Sequence, residues 1–320
     1  MSFDLGLKPA AGSAKSFLGA LRHAIRKIPA FSPYEDTFDY DHPDTGVHFQ
    51  LYLHDTKPNE EAEQDEDDGA LATLNLNYAR PSLFGREAAN VLAEIAKNLP
   101  LLTLDYQSET GWVPFDAQAF EASYLTAAQS SINALIKNMD EQDFWKYHHR
   151  APRALLEHAW NWNADRDAKV KRRLADDRNI WIPLFEFVEI EGRLYSYVAW
   201  FDGVATLFPK TDLIGISRNK YQAKAPGLLG KKRPTLEFIP RASADAIMAD
   251  TYQTDPVWPD AVSPVQDGGR AGQDRFHARP VGLDTVCDPI FLDRDDYRSR
   301  KVKPFERIKF PRILDAEFFN

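Results

Sequence analysis

The chain has 320 residues, 43% hydrophobic and 12% aromatic, enough for a real core in two domains or in one domain with an elaborate tail. A net charge of -9 argues against general binding to nucleic acid or to an anionic membrane surface. The single cysteine, Cys287, excludes an intramolecular disulfide and any CxxC metal site. No apolar run approaches the roughly 20 residues of a membrane helix. The opening MSFDLGLKP lacks the basic start and apolar core of a signal peptide, so a soluble cytoplasmic protein is expected.

Ser2 to Leu7 reads as a short strand, and Ser13 is a good N-cap for a helix from Ala14 to Ile28 with the stripe Phe17, Leu18, Leu21, Ala24, Ile25, Ile28. Phe31 to Thr45 reads as a loop with an edge strand at Phe38 to Tyr40. Val47 to His54 alternates with period two, and so does Ala70 to Tyr78, the marks of half-buried strands. Arg80-Pro81-Ser82 stops the second of these, and Ser82 is placed to cap a helix from Gly85 to Lys97. On that helix Phe84, Ala88, Val91, Leu92 and Ile95 form the apolar side, with Arg86, Glu87, Glu94 and Lys97 opposite. Leu101 to Tyr106 is the next strand. The order βαββαβ over residues 1–110 resembles the ferredoxin-like split arrangement, a likeness of topology that carries no function.

Residues 111–178 read as a helical connector, with a long helix from Asp116 to Met139, a fresh start at Pro152 and a charged helix from Asp165 to Arg178. Residues 179–250 change to β: Ile180 to Ile190, Leu194 to Phe201, Val204 to Phe208 and Leu213 to Ser217, joined by the hairpin signals Glu191-Gly192 and Asp202-Gly203, predict an antiparallel meander with helices. Leu236 to Ile239 adds a strand and Ala242 to Ala249 a helix. Residues 251–320 are proline-punctuated without a sustained period, and read as an extended tail anchored on the body by its aromatics. The fold class expected is α+β.

Two charge blocks stand out. Glu60, Glu61, Glu63, Asp65, Glu66, Asp67 and Asp68 form an acidic run that would imitate a phosphate backbone and steer a basic partner. Its plainer alternative is a solvated loop. Arg218, Lys220, Lys231, Lys232 and Arg233 flank a glycine-containing loop that would clamp an anion, although GxxxxGK[ST] is not met because Arg233 stands where Ser or Thr is required. His148, His149, Glu157 and His158 are the densest catalytic or metal-ligating cluster, but Pro152 interrupts any shared helix and HExxH is absent. Cys287 has no basic neighbour to lower its pKa. Trp160, Trp162, Trp181 and Trp200 would build a ligand pocket or a partner hot spot, with core packing the default for Trp181 and Trp200. Asn75, Asn77, Arg80 and Gln107 would make a recognition surface on a sheet face that helices leave uncovered, or simply the wet side of a one-sided sheet.

No catalytic residue, cofactor or metal is assigned on this reading. Two function classes remain. The first is a non-catalytic cytoplasmic protein that covers the basic functional surface of another protein, such as a toxin or nuclease, as an immunity protein does. The second is an enzyme acting on a phosphorylated or nucleotide-like substrate through residues 218–233, with His148 or His149 as acid or base.

Overall fold

Strand alternation in the N-terminal half becomes a seven-stranded sheet. The structure is a computed structural model and describes residues 2–54, 69–139, 141–175, 181–201, 206, 208–217, 236–242, 252–254, 261–264 and 305–319. The chain is mixed α+β and divides into two units, Met1–Glu157 with Phe310–Asn320, and His158–Lys309. Residues 111–157 thus belong with the N-terminal sheet, and the last residues of the chain return to it.

The first unit begins β1 (Ser2–Pro9), α1 (Ala14–Ile25), β2 (Phe31–Tyr34), β3 (Thr37–Asp41) and β4 (His48–Leu53). It continues β5 (Ala72–Asn77), α2 (Leu83–Ala96), β6 (Leu101–Asp105), β7 (Val113–Pro114), α3 (Ala117–Asn138), α4 (Glu141–Tyr147) and β8 (His149–Ala151). The unit boundary falls inside α5 (Arg153–Ala164). The second unit follows with α6 (Arg166–Ala175), β9 (Phe185–Ile190), β10 (Arg193–Phe201), β11 (Phe208–Pro209), β12 (Leu213–Ser217) and β13 (Leu236–Pro240). It is completed by β14 (Tyr252–Thr254), β15 (Ala261–Pro264) and β16 (Phe305–Ile308), and β17 (Ile313–Asp315) lies in the returning end of the first unit.

The large sheet runs β2-β3-β4-β5-β1-β6-β7, every neighbour antiparallel. The hairpin β2–β3 stands where the sequence reads as loop with a single edge strand. Its Pro33, like Pro114 at the other edge, sits where a missing ladder donor does no harm, and each proline blocks a further strand from adding on. One face is the core. Phe3, Leu5 and Leu7 of β1, Leu74 and Leu76 of β5, and Phe49 and Leu51 of β4 are all buried. The helices pack there: Phe3 meets the rings of Phe120 and Tyr124 from α3 edge-on.

The starts of α1 and α3 follow capping rules, and that of α2 does not. Ser13 Oγ accepts from Ser16 N at 3.3 Å, and Asp116 Oδ1 accepts from Ala119 N at 2.8 Å. Ser82, expected to cap α2 with its own oxygen, makes no such bond. Its amide and hydroxyl instead donate to the Asp315 carboxylate at 2.7 and 2.6 Å, which brings the end of the chain onto the start of α2. Glu87, expected on the wet side of α2, is buried. Tyr40 Oη and Thr45 Oγ1 donate to its Oε1 at 2.7 and 3.1 Å and replace its water. Burial and the Glu87 charge push the Tyr40 phenol far above its ordinary pKa.

In the second unit the main sheet runs β13-β12-β10-β9-β16. The β9–β10 hairpin turns through Glu191 (φ 52°) and Gly192 (φ 76°), both left-handed as a type I′ turn requires. The rest corrects the meander: β10 pairs β12 in parallel, Tyr197 opposite Leu213 and Phe201 opposite Ser217. A parallel neighbour needs a return crossover rather than a tight turn, and part of that connection, β11, pairs with β15 in a separate small sheet. The signal Asp202-Gly203 and the helix expected from Ala242 to Ala249 lie wholly or mostly outside the described residues. The core of this sheet is Val188, Ile190, Tyr197, Leu213 and Phe238. The side chain of Asn163 acts as a piece of strand for β9, donating to Phe185 O at 3.0 Å and accepting from Phe185 N at 2.8 Å.

Candidate functional site: the polar face of the first sheet

In a pleated strand every second residue faces away from the core, so the register decides which outward residues meet. Here it aligns four of them in one row across β3, β4, β5 and β1: Asp39 opposite Gln50, Gln50 opposite Asn75, and Asn75 opposite Asp4. Gln50 Nε2 donates to Asp39 Oδ1 at 2.8 Å, and Asn75 Nδ2 donates to Asp4 Oδ1 at 2.6 Å. Ser2 Oγ donates to the other oxygen of Asp4 at 2.9 Å, and Tyr52 Oη donates to Gln50 Oε1. Each amide spends one of its two N–H groups on a carboxylate. What the row offers outward is therefore mostly acceptor lone pairs and two negative charges, a surface suited to the donors of Lys and Arg side chains.

The row is bounded on the β6 side by aromatics folded over Gly6. A Cβ on Gly6 would lie 3.0 Å from Tyr106 Oη and 3.3 Å from Trp112 Cη2, so any larger residue would push these side chains back by a few tenths of an ångström. Lys8 Nζ lies over the Trp112 ring at 4.0 Å. Opposite Gly6 across the β1–β5 ladder, Thr73 Oγ1 lies 2.9 Å from His54 Nε2.

Of the residues singled out for a recognition surface, Asn75 is at the centre of this row. Asn77 is exposed, its Oδ1 accepting from Ala79 N at 2.9 Å. With its amide nitrogen turned to the acceptors, Gln107 donates to Asp105 Oδ1 at 3.0 Å and Asp4 O at 3.2 Å. Arg80 is drawn off towards the start of α2, its Nη1 on Ala79 O at 2.7 Å. Sequence reading missed Asp4, Asp39 and Gln50. Their alternation was visible, but their juxtaposition depends on register.

The acidic run of Glu60, Glu61, Glu63, Asp65, Glu66, Asp67 and Asp68 lies outside the described residues, as do Arg218, Lys220, Lys231, Lys232, Arg233 and Cys287. The histidine cluster divides among separate neighbours. His148 stacks on Phe144 with centroids 4.4 Å apart, Glu157 pairs with Arg86 at 3.0 Å, and His158 meets Phe185 edge-on at 5.4 Å. Among the described residues no group of three or more His, Cys, Asp or Glu side chains is placed to hold a metal ion. Trp160, Trp162 and Trp200 are buried core, whereas Trp181, expected in the core, is 39% exposed with Arg166 over its ring. Among the described residues no helix is long and apolar enough to cross a membrane.

No protein-family model, no curated protein and no solved structure matches this chain.

Proposed function

We propose that this chain is a non-catalytic cytoplasmic binding protein that offers the acceptor-rich face of its first sheet to a protein with a basic surface. The observation that carries the reading is the row Asp39, Gln50, Asn75, Asp4, in which each amide donates to a neighbouring carboxylate and two carboxylates face outward. The acidic run from Glu60 to Asp68 lies in the connection between β4 and β5, two strands of that row, and would add long-range steering to short-range recognition. A partner whose own function depends on exposed Lys and Arg, such as a toxin or a nuclease, fits this chemistry, and covering that surface would neutralise it as an immunity protein does. We also read β6-β1-β5-β4 with α1 and α2 as a ferredoxin-like core widened at both edges. The order of these four strands and their antiparallel pairing support this.

Affinity capture from the native cell with the full chain as bait, beside Asp4→Asn/Asp39→Asn and a bait with the acidic run neutralised, tests the proposal. The reading requires a basic partner held by the native bait and lost from the sheet variant, with an association rate that falls as salt rises. A partner retained equally by both variants, with salt-independent kinetics, refutes it.

A further inference from the structure

Two aromatic rings lie on the otherwise polar face of the first sheet. Asp105, the last residue of β6, stands opposite Leu5 of β1, and Tyr106 follows it. From there the phenol reaches over Gly6, where a Cβ would lie 3.0 Å from its Oη. Trp112, just before β7, comes to the same point with its Cη2 at 3.3 Å. Asp105 pins the turn after Tyr106: Gln107 N donates to its Oδ1 at 2.8 Å, and Ser123 Oγ donates to its Oδ2. The Gln107 amide also donates to Asp4 O at 3.2 Å, which ties the segment carrying Tyr106 to the backbone of Asp4. Tyr106 is exposed and Asp4 half-buried, so both are open to a partner. An exposed ring held rigidly beside a carboxylate is the make-up of a contact centre.

The two rings differ in the charge beside them. Lys8 Nζ stands 4.0 Å over the Trp112 ring, so that indole already has a cation, which repels a second. Tyr106 stems from the Asp4 end of β1, away from Lys8. Asp4 Oδ1 accepts from Asn75 Nδ2 at 2.6 Å and its Oδ2 accepts from Ser2 Oγ at 2.9 Å. These bonds fix the carboxylate and leave each oxygen one acceptor site. A fixed carboxylate with two such sites beside an exposed ring matches a guanidinium, whose planar fork reaches both oxygens while its flat face covers the ring. An ammonium meets Asp4 equally well but has no flat face to lay on Tyr106. A nucleic acid would stack on the rings, but it would bring its phosphates against Asp4 and Asp39.

We infer that Tyr106 and Asp4 form the anchor point for an arginine side chain of the basic partner, and that this pair makes the sheet face select arginine over lysine. The inference rests on the sheet-face reading above and adds to it a residue type and a position. The guanidinium donates to Asp4 and stacks on Tyr106, with its ring already held in place, so little side-chain freedom is lost on binding.

Fluorescence anisotropy with the full chain at low ionic strength tests it. The labelled probes are a peptide of alternating Gly and Arg, the same peptide with Lys in place of Arg, and oligothymidylate. The acidic run is neutralised in every sample, so that it does not hold both peptides alike. The arginine peptide is expected to bind about two- to fivefold more tightly than the lysine peptide. Tyr106→Leu should bring the two to equal affinity with little change for the lysine peptide. Tyr106→Phe should keep the preference, and Asp4→Asn should weaken both peptides. The ratio measured with Tyr106 in place decides alone if Tyr106→Leu does not fold. Equal binding of the two peptides, a preference that survives Tyr106→Leu, or oligothymidylate held more tightly than the arginine peptide overturns the inference. If affinity capture still yields a partner that is lost with Asp4→Asn/Asp39→Asn, the sheet-face reading then stands without it.

Discussion

Removing the carboxylate of Asp315 should detach the end of the chain from the first unit. The residue is fully buried and accepts from Ser82 N at 2.7 Å, Ser82 Oγ at 2.6 Å and Arg153 Nε at 2.9 Å. Its strand β17 pairs in parallel with β8, and Ile313 and Leu314 beside it are fully buried. Breaking a buried ion pair by deleting one partner costs about 3–5 kcal/mol. The figure needs a discount, because the Arg153 side chain keeps 32% of its exposure and can turn to water. The Ser82 amide and hydroxyl are buried and cannot, and an orphaned buried donor costs about 1–3 kcal/mol. Asp315→Ala is therefore expected to lose about 2–4 kcal/mol, a large part of the roughly 5–15 kcal/mol that holds an ordinary protein folded. In urea, with a slope of about 2 kcal/mol per molar, the midpoint should fall by about 1–2 M. Asp315→Asn should recover little, because its N–H groups would face donors. A double-mutant cycle of Asp315→Ala with Arg153→Met should show coupling of about 1 kcal/mol or more. A loss below about 0.5 kcal/mol for Asp315→Ala, within the range of an ordinary surface change, would refute the assignment of Asp315 as the clasp.

Other substitutions weigh one effect against another. Ala is favoured over Gly in a helix by about 1 kcal/mol, yet a Cβ at Gly85 would lie 2.3 Å from Tyr124 Cδ1. Tyr124 is fully buried and cannot move aside, so Gly85→Ala should destabilise by about 1–3 kcal/mol in thermal or urea unfolding, and a gain in stability would show that α2 and α3 do not meet there. Glu35 holds φ 53° at the first turn position of the β2–β3 hairpin, so Glu35→Gly should raise stability by about 1 kcal/mol. Stability should depend on pH at both ends. His48 and His148 have folded pKa values below the unfolded 6.5, so the unfolded chain binds more protons and stability falls as pH drops through 6.5. Tyr40, Tyr124 and Tyr197 are raised above the ordinary 10.0, mainly by burial, so stability also falls as pH rises past 10.0. A flat unfolding midpoint between mildly acidic and neutral pH would contradict the histidine environments.

The local periodicities of the chain were sufficient for its longer elements. Period two in Ala70 to Tyr78, the three-and-four spacing after Ser82, the cap at Ser13 and the helical stretch from Asp116 all lead to strands and helices that the structure contains, because burial of one side of an element leaves its mark on adjacent residues. Glu191-Gly192 likewise carries its turn within two residues. The sites were not legible in this way. Asp4 and Asn75 are hydrogen-bonded 71 positions apart, and Ser82 and Asp315 meet across 233. Neither end of such a pair carries a local signal of the other, since a serine before a helix looks the same whether it caps that helix or donates to a distant carboxylate. The parallel run of β10 beside β12 was hidden for the same reason: a strand pattern records which side is buried but not the direction of its neighbour. Composition and alternation settled what the pieces are. Which polar groups face one another was decided by register and by the closing of long loops, whose entropy grows only with the logarithm of their length and so allows almost any pairing that buries enough surface.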